Sequence, residues 1–286
     1  MRGEFVELRN ARVYYYAAGT RGVGEPVLLL HGFPTSSYLW SGVVPRLPRG
    51  HRVIVPDLLG FGRSDLPRPS PIDFDLTVRG HADRIVELLD VLKVERACIA
   101  GQGVGAAVAL AVAARHPGRV TRLCLVNAVT AATWPTRDGL LARAITILAP
   151  GMPSSWLLAF VRRALRRGSA DPARLARSAD HYLRPFSAPN GRPTLLAHLR
   201  ALTARASYPP IPTPTATPTA TQTAMPTAMP IAIVWGERDP LLPVASGHAL
   251  AARLPHATLD VVAGGHYLPE ESPEQVAAVL TRLLSG

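Results

Sequence analysis

Short apolar runs alternate with segments of helical spacing along most of this chain. Phe5–Leu8 and Arg12–Ala17 read as an antiparallel strand pair. Pro26–Leu30, Arg52–Pro56, Ala97–Ala100, Leu123–Val126, Ile231–Trp235 and Leu259–Val262 are compact apolar runs of the kind that a parallel sheet buries on both faces. Between them, Thr77–Leu92 sets Val78, Ile85, Leu88, Leu89 and Leu92 along one side of a helix, with Thr77 as its N-cap. Gly105–Arg115 is a second helix, closed by His116-Pro117-Gly118, and Pro240–Leu254 and Pro273–Leu284 supply two more. Strands that alternate with helices predict βαβ units around a mostly parallel sheet.

The alternation breaks once. From Asn127 to Ile231 the pattern is helical and then of low complexity. The chain therefore divides into a first core part at 1–128, a helical cap at 129–208, a linker at 209–230 and a second core part at 231–286. The linker, PPIPTPTATPTATQTAMPTAMP, ends in four-residue repeats and carries seven prolines and no charge in 22 residues. Such a composition buries no core and predicts extended, polyproline-like or disordered chain. At 286 residues, 48% of them hydrophobic, the rest suffices for one large core with a smaller cap.

Charge adds one feature. Of the net +11, a share of +9 lies within residues 130–230, which hold twelve Arg and three acidic residues. There, residues 156–167, WLLAFVRRALRR, predict an amphipathic helix with an Arg face, either a solvated surface or an attractor of anions. The two cysteines, Cys98 and Cys124, sit inside strand-like runs and read as buried small hydrophobes. Neither a metal site nor a cofactor is expected, and no apolar run approaches the roughly 18 residues of a membrane span. The expectation is a cytoplasmic monomer or homodimer that binds a small molecule, with neither nucleic acid nor membrane as partner.

The chemistry gathers at strand ends. The run Ala97-Cys98-Ile99-Ala100 meets Gly101-Gln102-Gly103-Val104-Gly105 and then an alanine-rich helix, which has the form of a nucleophile elbow. The residue at its centre is Gly103. After the strand at 26–30 comes His31-Gly32-Phe33-Pro34, whose turn would aim the Phe33 N–H into a site. After the next comes Asp57-Leu58-Leu59-Gly60-Phe61-Gly62-Arg63-Ser64-Asp65, in which Ser64 and Asp65 read as structural. The last two strands run into Gly236-Glu237-Arg238-Asp239-Pro240 and Gly264-Gly265-His266-Tyr267. An acid past one strand and a histidine past its neighbour place Asp239 to accept from Nδ1 of His266, leaving Nε2 as a base.

Taken together, HGFPTSSYLW (31–40), PDLLGFGRSD (56–65), WGERDP (235–240) and GGHYLPEESPE (264–274) resemble the α/β-hydrolase superfamily, in its haloalkane dehalogenase and epoxide hydrolase branch. The resemblance covers nearly the whole chain apart from 209–230 and is weakest in the cap. It implies an eight-stranded sheet flanked by helices, a helical cap, and an elbow bearing an Asp nucleophile, or Ser in esterase relatives. This chain departs from both, with Gln102 where the branch commonly has His and Gly103 at the nucleophile's place. Phe33 and Val104 stand where haloalkane dehalogenases place a halide-binding Asn and Trp. No Arg within 104–107 matches the fluoroacetate enzymes, and only Tyr182 and Tyr208 match the cap tyrosines of epoxide hydrolases.

What remains is a His266-Asp239 base, an oxyanion hole from the Phe33 and Val104 amides, and a pocket for which His31, Gln102, Trp40, Trp134 and Tyr182 are candidates. Three functions fit. One is a small-molecule enzyme working without a covalent nucleophile, by hydration, proton transfer, elimination or cyclisation. The second is a non-catalytic descendant that binds a ligand or partner, and the third is a hydrolase with a nucleophile recruited from elsewhere.

Overall fold

The computed structural model describes residues 2–19, 24–66, 74–131, 133, 144–148, 151–203, 229–254 and 256–286. Trp134 and all but the last two residues of the 209–230 tract lie outside them. The eight apolar runs form β1 (Arg2–Glu7), β2 (Arg12–Ala18), β3 (Val27–Leu30), β4 (Val53–Pro56), β5 (Ala97–Gln102), β6 (Val120–Val126), β7 (Ile231–Gly236) and β8 (Ala257–Val262). They make one sheet in the order β1-β2-β4-β3-β5-β6-β7-β8. β1 and β2 pair antiparallel, as does β2 with β4, and every pairing from β4 through β3 to β8 is parallel.

The central strands are apolar without alternation because both faces are covered. Every residue of β3, β4, β5 and β7 is buried. β8 corrects the expectation of a buried strand: it ends the sheet, none of its residues is fully buried, and Val261 is 43% exposed. Helix α1 (Val78–Val91) begins where Thr77 accepts the Gly80 N–H at 3.2 Å, and α2 (Val104–Arg115) follows β5 directly. The helix expected from Pro240 starts later, as α6 (Val244–Ala251), because the Asp239 carboxylate captures the Leu241 and Leu242 amides in a turn. A four-residue helix at Leu268–Glu271 (α7), absent from the sequence reading, precedes α8 (Pro273–Ser285).

Between β6 and β7 lie α3 (Ser154–Gly168), α4 (Pro172–Leu183) and α5 (Gly191–Thr203). α3 turns Leu157, Val161 and Leu165 inward and leaves Trp156, Arg163, Arg166 and Arg167 exposed. Among the described residues no helix is long and apolar enough to cross a membrane, and no cluster of three metal-ligating side chains occurs. Cys98 and Cys124 are free and buried, and burial lifts the Cys124 thiol to about 12.

The inserted helices meet the core through aromatic rings. Phe61 packs on His198 of α5 at 4.1 Å between centroids, His198 stacks on His81 of α1 at 5.7 Å, and Phe61 also meets His31 at 5.3 Å and Phe186 at 5.9 Å. All three histidines are buried, and burial holds each below its ordinary value, with His81 down to about 3. They fold as neutral imidazoles and take up protons on unfolding, so stability present above about pH 6.5 is lost as pH falls towards these native values. In chemical denaturation, the free energy of unfolding should therefore drop between pH 7 and pH 5. His198→Phe should remove up to about 1.4 kcal/mol per pH unit from that slope, and an unchanged slope would show that His198 is not buried neutral.

Candidate active site

Six loops converge at the carboxyl edge of the parallel strands, where ligands bind in open α/β sheets. Gly103 occupies the turn between β5 and α2 with φ +57° and ψ −117°. Its N–H donates to Val126 O at 2.9 Å, and its carbonyl accepts from Val129 N at 3.2 Å. The flanking glycines are there for close approach. A Cβ at Gly101 would lie 2.3 Å from Gly105 O, and one at Gly105 would lie 2.5 Å from the carbonyl oxygens of Leu30 and His31.

Asp239 and His266 meet as their spacing predicts. His266 Nδ1 lies 2.8 Å from Asp239 Oδ2, with both side chains buried. An ionised carboxylate only accepts, so the proton sits on Nδ1 and the lone pair on Nε2. Asp239 Oδ1 accepts from Leu241 N at 2.8 Å and Leu242 N at 2.9 Å, and Oδ2 accepts also from Asn127 Nδ2 at 2.5 Å. Burial pushes this carboxyl up, but His266, the Leu242 N–H and the Asn127 amide outweigh it, so Asp239 ends below its ordinary value and stays ionised. A Cβ placed on Gly103 would stand 3.3 Å from His266 Nε2, with its next neighbour beyond the imidazole, Gly32 Cα, at 3.9 Å. The histidine's Nε2 thus faces the position that a side chain at residue 103 would take. Among the described residues, neither the Phe33 nor the Val104 amide donates a hydrogen bond.

The remaining sequence candidates have defined places. Gln102 is fully buried and donates from Nε2 to the His266 carbonyl at 2.9 Å, while its Oε1 packs over Gly32 without a partner. His31 has both ring nitrogens engaged: Nε2 accepts from Leu58 N at 2.9 Å, and Nδ1 donates to Gly32 O at 2.9 Å. Trp40 is completely buried at the end of the 3-10 turn Ser37–Trp40, and Tyr182 is completely buried with its hydroxyl donating to Glu270 Oε2 at 2.5 Å. Trp134 lies outside the described residues. Ser64 serves the loop around it: its hydroxyl donates to Asp57 O at 2.6 Å and accepts from Tyr14 N at 3.0 Å.

Asn127 is the residue that sequence reasoning missed. It directly follows β6 at φ +44°, an uncommon conformation for a residue other than glycine, and puts its amide on Asp239. An Asn at a parallel strand's carboxyl end, opposite the proposed acid, was the available signal. Asn127→Asp would set a second carboxylate against Asp239. That variant should lose about 1–3 kcal/mol of stability at neutral pH and recover part of it as pH falls towards 4. Denaturant midpoints measured at both pH values test this, and a variant as stable as wild type at neutral pH would contradict the contact.

The comparisons agree with this architecture. Residues 25–273 match the model of the alpha/beta hydrolase fold family, and the chain belongs to that family. A haloalkane dehalogenase of Mycobacterium marinum is 30% identical over 286 residues, covering 94% of this chain and 87% of the relative. A 2-hydroxymuconate semialdehyde hydrolase of Pseudomonas sp. strain CF600 is 38% identical over 133 residues, which is 43% of this chain and 45% of that one. Among solved structures, the haloalkane dehalogenase DbeA of Bradyrhizobium elkani superposes with a TM-score of 0.78 at 25% identity, covering 100% of this chain and 98% of its own.

Proposed function

We propose that this chain is an α/β-hydrolase-fold enzyme acting on a small molecule with the His266-Asp239 pair as general base and no covalent nucleophile. The observation that carries the reading is that His266 Nε2 faces the apex of the turn, where a Cβ on Gly103 would stand 3.3 Å from it. On this reading water or part of the substrate sits beside Gly103, within reach of Nε2. With an activated ester, Nε2 takes a proton from water as its oxygen adds to the carbonyl, and the Phe33 and Val104 amides hold the oxyanion. The imidazolium then returns the proton to the departing alkoxide. A positioned base contributes about 10²–10⁴-fold and an oxyanion donor about 10²–10³-fold, so a useful rate does not require an acyl or alkyl intermediate.

The absence of a side chain at residue 103 also removes strain. A non-glycine residue at this positive φ costs about 1–3 kcal/mol. The turn is thereby stabilised while the base, the acid and the amides keep their positions. The relatives' names direct the search for substrates to halogenated compounds and to carbonyl compounds of the semialdehyde type, with epoxides and activated esters alongside.

Purified wild type, Gly103→Ser, Gly103→Asp and His266→Ala should be assayed side by side on that panel by direct product detection. Wild-type turnover that disappears in His266→Ala is the expected result. A silent wild type with activity gained in a Gly103 variant would replace the proposal with a hydrolase that has lost its nucleophile. Silence in all four proteins would favour a ligand-binding role. Turnover that survives His266→Ala would point to a recruited nucleophile. Each Gly103 variant should unfold about 1–3 kcal/mol more easily than wild type, whatever its activity.

A further inference from the structure

The main chain around His266 is held by groups that the reaction does not use. Its N–H donates to Gly168 O at 2.8 Å, a carbonyl at the end of α3, and its own carbonyl accepts from Gln102 beside the elbow. The residues on either side are tied to one carboxylate. Glu271 Oε2 accepts the Gly265 N–H at 2.8 Å, and Oε1 accepts the Tyr267 N–H at 3.2 Å. The same Oε2 accepts the Ala170 N–H at 3.0 Å, which belongs to the turn between α3 and α4. Arg174 of α4 then donates to the Glu271 carbonyl at 3.2 Å.

The fit is close as well as polar. A Cβ on Gly265 would lie 2.5 Å from Ala170 N, and one on Gly168 would lie 2.8 Å from Tyr267 Cε2. A second acid reinforces the seam: Ser178 and Tyr182 of α4 both donate to Glu270, whose carboxyl burial raises above its ordinary value. The histidine loop therefore has two anchorages. One is in the core, through Asp239 and Gln102. The other is in the inserted helices, through Gly168 and the carboxylate that Ala170 shares.

We propose that Glu271 is a positioning residue for His266, and that through it the placement of the histidine depends on the seating of the 168–171 turn against the core. When the turn is seated, Glu271 grips both amides that flank the histidine. When it lifts, the His266 N–H loses its acceptor and the carboxylate loses one of its three donors. Closing the inserted helices over the site and aligning the base are then one event, so that Nε2 is aimed only in the closed state. This rests on the reading of His266 as the base.

The test reads the histidine itself and needs no turnover. Wild type, Glu271→Ala, Glu271→Gln and Gly168→Ala are labelled with ¹⁵N, and the His266 signals are assigned by their loss in His266→Ala. Folding is checked by circular dichroism and cooperative melting. In Glu271→Ala and Gly168→Ala, amide exchange at His266 should rise about tenfold or more, with loss of the Nδ1–H resonance shared with Asp239. Glu271→Gln, which keeps one acceptor oxygen, should fall between. Unchanged His266 amide and ring signals in folded Glu271→Ala would overturn the proposal. Should that variant not fold, unchanged signals in folded Gly168→Ala would overturn it as well. Where a substrate is in hand, kcat should fall with KM nearly constant. Absence of turnover in every variant, wild type included, would count against the catalytic reading and leave the result on His266 standing.

Discussion

A buried carboxylate must find donors or lose its charge, and Asp239 finds four. They come from three directions: the Leu241 and Leu242 amides from its own turn, the Asn127 amide from the end of β6, and the His266 ring from beyond β8. Satisfying one side chain thus fixes the relative positions of three strand ends. The same four contacts hold the carboxyl ionised, which fixes the tautomer of His266. The direction of the site's lone pair follows from the electrostatics of one residue.

The sheet makes that convergence possible. Parallel strands from β4 through β3 to β8 deliver every loop to one edge, so residues as distant in sequence as Gln102 and His266 come within 2.9 Å. The inserted helices approach from above through apolar and ring contacts, with buried neutral histidines at the seam. Those rings pack well while uncharged and poorly once protonated. The part of the interface between core and inserted helices that holds these rings is accordingly weakened by acid.

Much of this was legible in the sequence. Continuous apolar runs announced the central strands, because a strand covered on both faces carries no polar alternation. The pairing of Asp239 with His266 followed from two adjacent strand ends, and the turn at Gly103 from glycines whose added Cβ atoms would strike carbonyl oxygens. What escaped was set by packing between distant segments. Asn127 looked like the polar end of a strand, and Glu271 like one acid among the three of residues 270–274. Tyr182 read as a pocket tyrosine, and its hydroxyl is instead committed to Glu270. No local pattern records which amide a carboxylate will meet across an interface. The edge position of β8 was hidden for a related reason, since strand order is a property of the assembled sheet.

The turn at residue 103 is shaped by its surroundings and not by a side chain. Glycine has no intrinsic need for φ +57°, and it has more freedom to relax than any other residue. It holds that conformation because its neighbours impose it. Its N–H is fixed by Val126 O, its carbonyl receives Val129 N, and α2 begins at the very next residue. The path of the backbone belongs to the sheet edge and the helix start, and the residue at the apex inherits it. The amides of Phe33 and Val104 and the aim of His266 then do not depend on a nucleophile being present. On the proposed reading, the base and the oxyanion donors are held by backbone geometry that requires no side chain at this position.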